Sequence, residues 1–133
     1  MELQRIGTVR SPLTDLGDAP KQGDEGAPEA RIAIEAEFSP ALAGIAPGDE
    51  LVVLTWLDRA DREVLSVHPR GDLSRPATGV FATRSPARPN PIGLHRVRVL
   101  AVEESELHVA DLEAIDGTPV LDLKPVLGEV EER

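Results

Sequence analysis

Residues 79–94 read GVFATRSPARPNPIGL, and this stretch decides how the chain on either side of it folds. Its first part, residues 80–83, is short and apolar, which predicts a strand. Three prolines then fall within six residues, at Pro86, Pro89 and Pro91. Each proline fixes its own φ and biases the preceding residue towards extended backbone, so this part cannot continue as a helix. The stretch therefore predicts a stiff loop between two strands, which we call the proline-stiffened loop.

The loop presents four polar side chains, those of Arg84, Ser85, Arg88 and Asn90. One interpretation is a rigid surface connection, since proline-rich stretches are commonly loops. The other is a preorganised polar site, because a stiff loop loses little entropy when it holds a ligand. The residue pattern by itself leaves both interpretations open.

Composition indicates one domain with an aliphatic core. The chain has 133 residues and only three aromatic ones, Phe38, Trp56 and Phe81. It has no cysteine, which excludes a disulfide framework, a thiol nucleophile and a cysteine-ligated metal. It shows no signal-peptide pattern and no apolar run near the ~20 residues of a membrane span. We therefore expect a cytoplasmic protein that does not enter a membrane.

Charge is distributed unevenly along the chain. The net charge of -10 argues against nonspecific binding to polyanions. Residues 70–98 nevertheless carry +5, from six arginines and one aspartate. We call these arginines the basic island: Arg70, Arg75, Arg84, Arg88, Arg96 and Arg98. They could face phosphate groups or pair with the surplus carboxylates, and the sequence favours neither.

The rest of the chain reads as short strands, seven or eight in all, with one small helix. Apolar alternation predicts strands at 3–10, 31–38, 50–57, 63–68, 94–103, 106–114 and 119–123. Ser39 and Pro40 fit the N-cap and first position of a short helix. Residues 13–30 have no hydrophobic period and predict a long loop. Because no crossover helix occurs, we expect an all-β fold, an antiparallel barrel or sandwich with one short helix and long loops.

The residues alone point to no familiar catalytic centre. His68, His95 and His108 lack metal-ligand spacing, and the last two lie in predicted strands, which is more typical of structural histidines. No serine lies in a nucleophile-elbow context, and no dinucleotide or phosphate-binding glycine motif occurs. Three polar segments remain as candidate sites: the proline-stiffened loop, the loop at 17–28 and the turn at 116–119.

Several segments together resemble the TrmO/YaeB/VirR family, also called the TsaA-like family, over nearly the full chain. They are residues 6–12 (IGTVRSP), 20–22 (PKQ), 79–86 (GVFATRSP), 88–94 (RPNPIGL), 116–120 (DGTPV) and 122–125 (DLKP). The order of Arg, Ser, Pro and Asn in the central segments is distinctive of that family. The resemblance implies a single β-barrel domain over residues 1–133, with no C-terminal extension.

The resemblance also implies an activity. Such a barrel would bind S-adenosylmethionine outside the usual methyltransferase fold, in a homodimer whose interface helps to build the pocket. It would N6-methylate threonylcarbamoyl-adenosine beside the anticodon of a tRNA. The alternatives are a methyltransferase of the same fold with another acceptor, and a non-catalytic module that binds S-adenosylmethionine or regulates.

Motif by motif, the resemblance implies site residues. Cofactor contacts would come from Pro20, Lys21, Gln22, Asp58, Arg59, Arg84, Leu94, Asp116, Gly117, Thr118 and Pro119. On chemical grounds, Asn90 would orient the acceptor, and Asp116 would face the cationic sulfonium and take a proton. From the charge distribution, RNA contacts would come from Arg70, Arg75, Arg88, Arg96 and Arg98. We expect no metal.

Overall fold

The computed structural model describes residues 1–13, 29–68 and 71–128. The strands there are β1 (Gly7–Arg10), β2 (Ala30–Ile34), β3 (Glu50–Trp56), β4 (Ser66–Val67), β5 (Thr78–Gly79), β6 (Ile92–Glu103), β7 (Glu106–Ala110) and β8 (Pro119–Pro125). Two 3₁₀ helices span Ala36–Leu42 and Val80–Ala82. The predicted all-β class, with little helix and long loops, is confirmed.

Six of these strands close into a barrel in the order β1-β2-β7-β6-β3-β8. Every neighbouring pair is antiparallel. The short strands β4 and β5 form a separate two-stranded sheet. Of the two predicted architectures, the barrel is the one observed, and its closure leaves the six strands without a free edge.

Aliphatic side chains from alternate positions fill the barrel interior. In β3, Leu51, Val53 and Thr55 are buried and their neighbours are more exposed. The first eight residues of β6 alternate in the same way, which leaves Ile92 and Leu94 on the outer face. Because a shift of one residue would turn this apolar face outward, burial fixes the register of the strands.

The predicted strand at 80–83 is wrong. Val80–Ala82 forms a 3₁₀ turn in which Val80 is buried and Phe81 is 81% exposed. The Thr83 amide and hydroxyl each donate to the Val80 carbonyl at 3.0 Å. Two donors on one carbonyl close a tight turn, which a run of apolar residues does not reveal.

The predicted helix is displaced towards the N-terminus. The chain leaves β2 at Ile34 and enters a 3₁₀ helix, inside which Pro40 lies. Ser39 does not cap this helix, because its hydroxyl donates to the Ala36 carbonyl at 3.0 Å. Phe38 packs against the core from the helix. The apolar alternation that extended the predicted strand to residue 38 therefore came from two different elements.

β3 lies between β6 and β8 and is antiparallel to both, so its end faces the beginnings of the other two. Trp56 pairs with Ile92, and Thr55 pairs with both Gly93 and Val120. The pairing with β8 shifts by one residue just before Thr55, and such bulges re-aim side chains next to functional sites. We call this region, where β3 ends and β6 and β8 begin, the loop edge.

Candidate functional site

Arg88 holds the proline-stiffened loop from inside. Its Nη1 donates to the carbonyl oxygens of Thr83 and Ser85 at 3.0 and 2.9 Å, and its Nη2 donates to that of Val80 at 2.9 Å. Its amide donates to the Asp61 carbonyl at 3.0 Å. Hydrogen bonds from a charged donor are worth about 1.5–3 kcal/mol each. A half-buried side chain therefore adds to the stiffness that the prolines supply.

Arg62 also holds this loop, and the sequence analysis did not identify it as a site residue. Its Nε donates to the Pro89 carbonyl at 2.8 Å, and its Nη2 donates to Asn90 Oδ1 at 3.1 Å. Its guanidinium carbon lies 5.0 Å from the centroid of the Trp56 ring, in a cation–π contact. Because the amide oxygen of Asn90 accepts from Arg62, its NH2 group is directed elsewhere.

Arg84 and Leu94, two predicted cofactor residues, meet across the loop. Arg84 Nη2 donates to the Leu94 carbonyl at 3.2 Å. Both residues are exposed, and the Leu94 side chain stands on the outer face of β6. The contact fixes the guanidinium beside the beginning of β6.

Asp116 and Gly117 tie the turn before β8 to the end of β1. The Asp116 amide donates to the Leu13 carbonyl at 2.6 Å, and Asp116 Oδ1 accepts from the Ser11 amide at 3.1 Å. Gly117 has φ of 87°, a conformation that glycine adopts without steric cost. Its amide donates to the Val9 carbonyl at 2.8 Å. This turn is held mainly by backbone hydrogen bonds.

Thr118 and Pro119 form the buried floor of that turn. The Thr118 hydroxyl donates to the Ile115 carbonyl at 2.7 Å, and the Thr118 carbonyl accepts from the Val9 amide at 2.9 Å. Thr118 is 3% exposed. The amide of Thr118 also donates to the Ile115 carbonyl, so its polar groups are used within the chain, whereas Asp116 and Gly117 are exposed.

Asp58 and Arg59 follow β3 directly and are exposed. The Asp58 amide donates to the Trp56 carbonyl at 3.0 Å, which begins the turn. Because Trp56 pairs with Ile92, this turn lies at the loop edge. The remaining predicted cofactor residues, Pro20, Lys21 and Gln22, lie outside the described residues.

A buried polar network lies in the barrel wall at the loop edge. Thr55 Oγ1 is 2.7 Å from His95 Nε2, and His95 Nδ1 is hydrogen-bonded to Glu113 Oε1. Thr55 and His95 are 0% and 6% exposed, and the Glu113 side chain is 13% exposed. The prediction that His95 lies within a strand is confirmed, and its side chain is buried. Its partners could not be found from the sequence, because 40 and 18 residues separate them from it.

The basic island divides into inward and outward side chains. Arg88 is directed into the loop. Arg96 and Arg98 stand on the outer face of β6, where Arg96 pairs with a glutamate of β3 at 2.6 Å. The guanidinium of Arg98 has no hydrogen bond or ion pair with the described part of the chain. Arg75 is exposed between β4 and β5, and Arg70 lies outside the described residues.

The described residues offer no cluster of three or more His, Asp or Glu side chains that could hold a metal ion. No helix among them is long and apolar enough to span a membrane. On the exposed loop between β4 and β5, the pKa of Asp72 lies below its usual value. The cause is stabilisation of the carboxylate by the Ser74 hydroxyl at 2.6 Å and the Ser74 amide at 2.9 Å.

Known proteins similar to this chain carry related descriptions. Residues 8–132 match the family model described as the tRNA-methyltransferase O N-terminal domain. A protein of Archaeoglobus fulgidus, named S-adenosyl-L-methionine-binding protein, is 44% identical over 131 residues, which cover 98% of this chain and 93% of that protein. A probable S-adenosyl-L-methionine-binding protein of Methanothermobacter thermautotrophicus is 43% identical over 131 residues, with the same coverage of both chains.

Solved structures give the same result. The crystal structure of TrmO from Pseudomonas aeruginosa matches with a TM-score of 0.74 and 28% sequence identity, over 96% of this chain and 56% of that one. The chain thus spans little more than half the length of that structure. Since the family model matches nearly the whole chain and relatives above 40% identity cover it, the chain belongs to the tRNA-methyltransferase O N-terminal domain family.

Proposed function

We propose that the chain is an S-adenosylmethionine-dependent methyltransferase that binds this cofactor at the loop edge. The observation that carries the proposal is the meeting of three segments there. Asp58 and Arg59 follow β3, Leu94 lies near the beginning of β6, and the turn at 116–119 leads into β8. The names of the archaeal relatives support the identity of the ligand.

The groups present at the loop edge fit this cofactor. When bound, S-adenosylmethionine supplies an activated methyl group on a positively charged sulfonium. The exposed carboxylate of Asp116 can stabilise a cation, and the guanidinium of Arg84 can donate to a carboxylate. Ile92 and Leu94, 40% and 45% exposed, offer apolar area to a purine ring. Rigid loops hold these groups in place before a ligand arrives.

The methyl acceptor in this proposal is N6 of threonylcarbamoyl-adenosine beside the anticodon of a tRNA. This nitrogen is urea-like and a weak nucleophile, and it must lose a proton as it gains the methyl group. Asn90, whose amide oxygen is fixed by Arg62, would orient the acceptor through its NH2 group. Asp116 would accept the proton. The stiff loop would add in-line placement of the acceptor.

Arginines of the basic island would contact the RNA. Arg75, Arg96 and Arg98 are exposed, and the proposal adds Arg70 from outside the described residues. Arg88 would act through the loop that it holds, because its terminal nitrogens already donate to three carbonyls. The family description, which names a tRNA methyltransferase, supports this class of substrate.

A second candidate is a module that binds S-adenosylmethionine without acting on tRNA, or that methylates another acceptor. The names of the archaeal relatives favour it, because they state binding and no reaction. The net charge of -10 also favours it, because it opposes the approach of any RNA.

The proposal includes a homodimer. Leu65, Leu73 and Phe81, between β3 and β6, are 69%, 80% and 81% exposed. A second copy that covered these side chains would remove apolar surface from water, at about 25 cal/mol per Å². Sedimentation velocity at micromolar concentration should show a dimer, and a monomer that still binds the cofactor would contradict this part. Cytoplasmic localisation stays a prediction.

Two measurements test the proposed function. Calorimetry should first show binding of S-adenosylhomocysteine, the product form of the cofactor. Transfer of a labelled methyl group should then occur to tRNA that carries threonylcarbamoyl-adenosine, and not to tRNA without it. Binding with no transfer to either RNA would favour the second candidate, and absence of binding would overturn both.

Arg84→Ala should weaken S-adenosylhomocysteine binding by about tenfold to a hundredfold, as expected for one lost hydrogen bond from a charged group. The fold should survive, because Arg84 is exposed. Arg31→Ala is the matched control, since Arg31 is also exposed and pairs with Glu106 on the β2–β7 side of the barrel. If both variants bind alike, Arg84 does not contact the cofactor.

A further inference from the structure

The network of Thr55, His95 and Glu113 has a proton arrangement that satisfies all four of its contacting atoms. If the ring carries its proton on Nδ1, it donates to Glu113 Oε1, and Nε2 is free to accept from the Thr55 hydroxyl. In a doubly protonated ring, Nε2 would also be a donor and Thr55 Oγ1 would have to accept from it. The hydrogen of the Thr55 hydroxyl would then have to point to another acceptor. The two hydrogen bonds of the ring link two strands to the segment after β7.

Glu113 depends on His95 for its place. Its second carboxylate oxygen, Oε2, is buried and has no partner among the described residues. A carboxylate in that position is costly unless its other oxygen is well bonded. Without the His95 hydrogen bond, the Glu113 carboxylate would have to move to another donor or to solvent. That movement would displace the segment between β7 and β8, which carries Glu113.

The beginning of β6 packs directly on the Thr55–His95 hydrogen bond. A Cβ atom built on Gly93 would lie 2.6 Å from Thr55 Oγ1 and 2.8 Å from His95 Nε2. Position 93 therefore has no room for a side chain, and glycine lets this part of β6 lie over the Thr55–His95 hydrogen bond. The next residue is Leu94, whose carbonyl accepts from Arg84.

All three elements that form the proposed cofactor site are joined by this network. Thr55 lies next to the last residue of β3 and pairs with Val120, which follows the turn at 116–119. His95 lies next to Leu94 in β6. Glu113 precedes Asp116 by three residues. A shift of any one member would change the distance between the Leu94 carbonyl and the Asp116 turn.

We propose that His95 is a positioning residue, which, with Thr55 and Glu113, sets the spacing between the beginning of β6 and the Asp116 turn and so preorganises the cofactor site. This inference rests on the cofactor part of the proposed function, but not on the tRNA part. It assigns the three side chains no contact with the ligand. Affinity for S-adenosylhomocysteine should therefore depend on whether residue 55 carries a hydroxyl, and not on the free energy of unfolding of the barrel.

Two substitutions at one position separate these quantities. Thr55→Val keeps the shape of the side chain and removes the hydroxyl, so that His95 Nε2 loses its donor. Thr55→Ser keeps the hydroxyl and removes a buried methyl group, which lowers stability. We expect Thr55→Val to weaken S-adenosylhomocysteine binding by about fivefold to tenfold and Thr55→Ser to stay within about twofold.

The ring itself gives a readout that affinity and stability do not. Nitrogen-15 NMR of the histidine side chains should show the His95 ring with its proton on Nδ1, and Thr55→Val should change the Nε2 resonance while Thr55→Ser does not. Glu113→Gln, which keeps an oxygen acceptor for Nδ1–H, should retain more affinity than Glu113→Ala. Val97→Ala is the matched control, because Val97 is 2% exposed, faces inward from β6 and belongs to the apolar core.

The outcomes separate this inference from the proposed function. If the unmodified protein binds no S-adenosylhomocysteine, the cofactor site is wrong and the inference falls with it. If the protein binds but Thr55→Val binds equally well, the network is structural only and the proposed function stands. Affinity that follows unfolding free energy across Thr55→Val, Thr55→Ser and Val97→Ala would also overturn the inference. Methyl transfer to tRNA bears on the proposed function alone.

Discussion

Two pairs of arginines use the same guanidinium group in opposite ways. Arg62 and Arg88 donate to carbonyl oxygens and hold the proline-stiffened loop from two sides. Arg96 and Arg98 stand on the outer face of β6, where one forms an exposed ion pair and the other points to solvent. Three of the four belong to the basic island. Local charge along the sequence therefore mixes groups that build the site with groups that remain available to a partner.

The difference lies in what each guanidinium leaves behind when it is removed. Loop carbonyls that lose Arg88 lose donors in a half-buried setting, where water replaces them poorly. A strand that loses Arg96 or Arg98 keeps its backbone ladder and leaves no buried polar group without a partner. The free energy of unfolding should therefore fall steeply for one pair and little for the other.

Arg88→Ala should have the largest effect. Three guanidinium hydrogen bonds disappear at once, and we expect a loss of about 2–4 kcal/mol of unfolding free energy, allowing for some rehydration of the carbonyls. Urea denaturation measures it. Arg88→Lys is the control, because an ammonium cannot reproduce the planar fork and should recover less than half of the loss. A loss near zero would mean that the prolines alone hold the loop.

Arg62→Ala should come second, at about 1–2 kcal/mol, because it removes two hydrogen bonds and a cation–π contact at an exposed position. Trp56 is the only tryptophan in the chain, so its fluorescence reports on the contact directly. The emission should shift to longer wavelength as the ring loses its cover. An unchanged spectrum would show that Arg62 does not stack on Trp56 in solution.

Arg96→Ala should cost less than about 1 kcal/mol, as is typical of an exposed ion pair. Its partner is Glu50, at 2.6 Å, and the two side chains are 67% and 49% exposed. The effect should disappear in about 1 M salt, where the Debye length is about 3 Å. A double-mutant cycle with Glu50→Gln measures the coupling energy between the two side chains. A coupling energy that persists in high salt would show that Arg96 has a structural role, like Arg62 and Arg88.

Sequence reasoning succeeded where a regular period exists. The alternation along β6 fixes Arg96 and Arg98 on the face opposite the core, and strands with no crossover helix predict an antiparallel barrel or sandwich, of which the barrel is observed. The loop at 83–91 has no such period, so the direction of Arg88 could not be derived. Arg62 could not be identified for the same reason, because its neighbours in the segment after β3 are also charged and nothing in their spacing sets it apart.

Two further features could not be derived from the local sequence. The contact between His95 and Glu113 forms because the segment after β7 folds back against β6. No local sequence pattern predicts this path of the chain. The 3₁₀ turn at Val80–Ala82 depends on burial of Val80 beside exposed Phe81. Apolar residues alone indicate burial, but they do not say which of two neighbours is buried.

Arg98→Ala should have the smallest effect on stability and the clearest effect on RNA binding. Its exposed guanidinium makes no hydrogen bond or ion pair with the described part of the chain, so unfolding free energy should stay within about 0.5 kcal/mol. If Arg75, Arg96 and Arg98 each neutralise one phosphate of a single-stranded loop, log K for tRNA should fall against log salt with a slope of about -2. Removal of Arg98 should flatten that slope to about -1.4, because one fewer counterion-releasing contact remains. Arg31→Ala, an exposed arginine outside the basic island, should leave the slope unchanged and so controls for the loss of one positive charge. A slope that changes equally in both variants would mean that net charge alone governs binding, and that the outer face of β6 is no RNA surface.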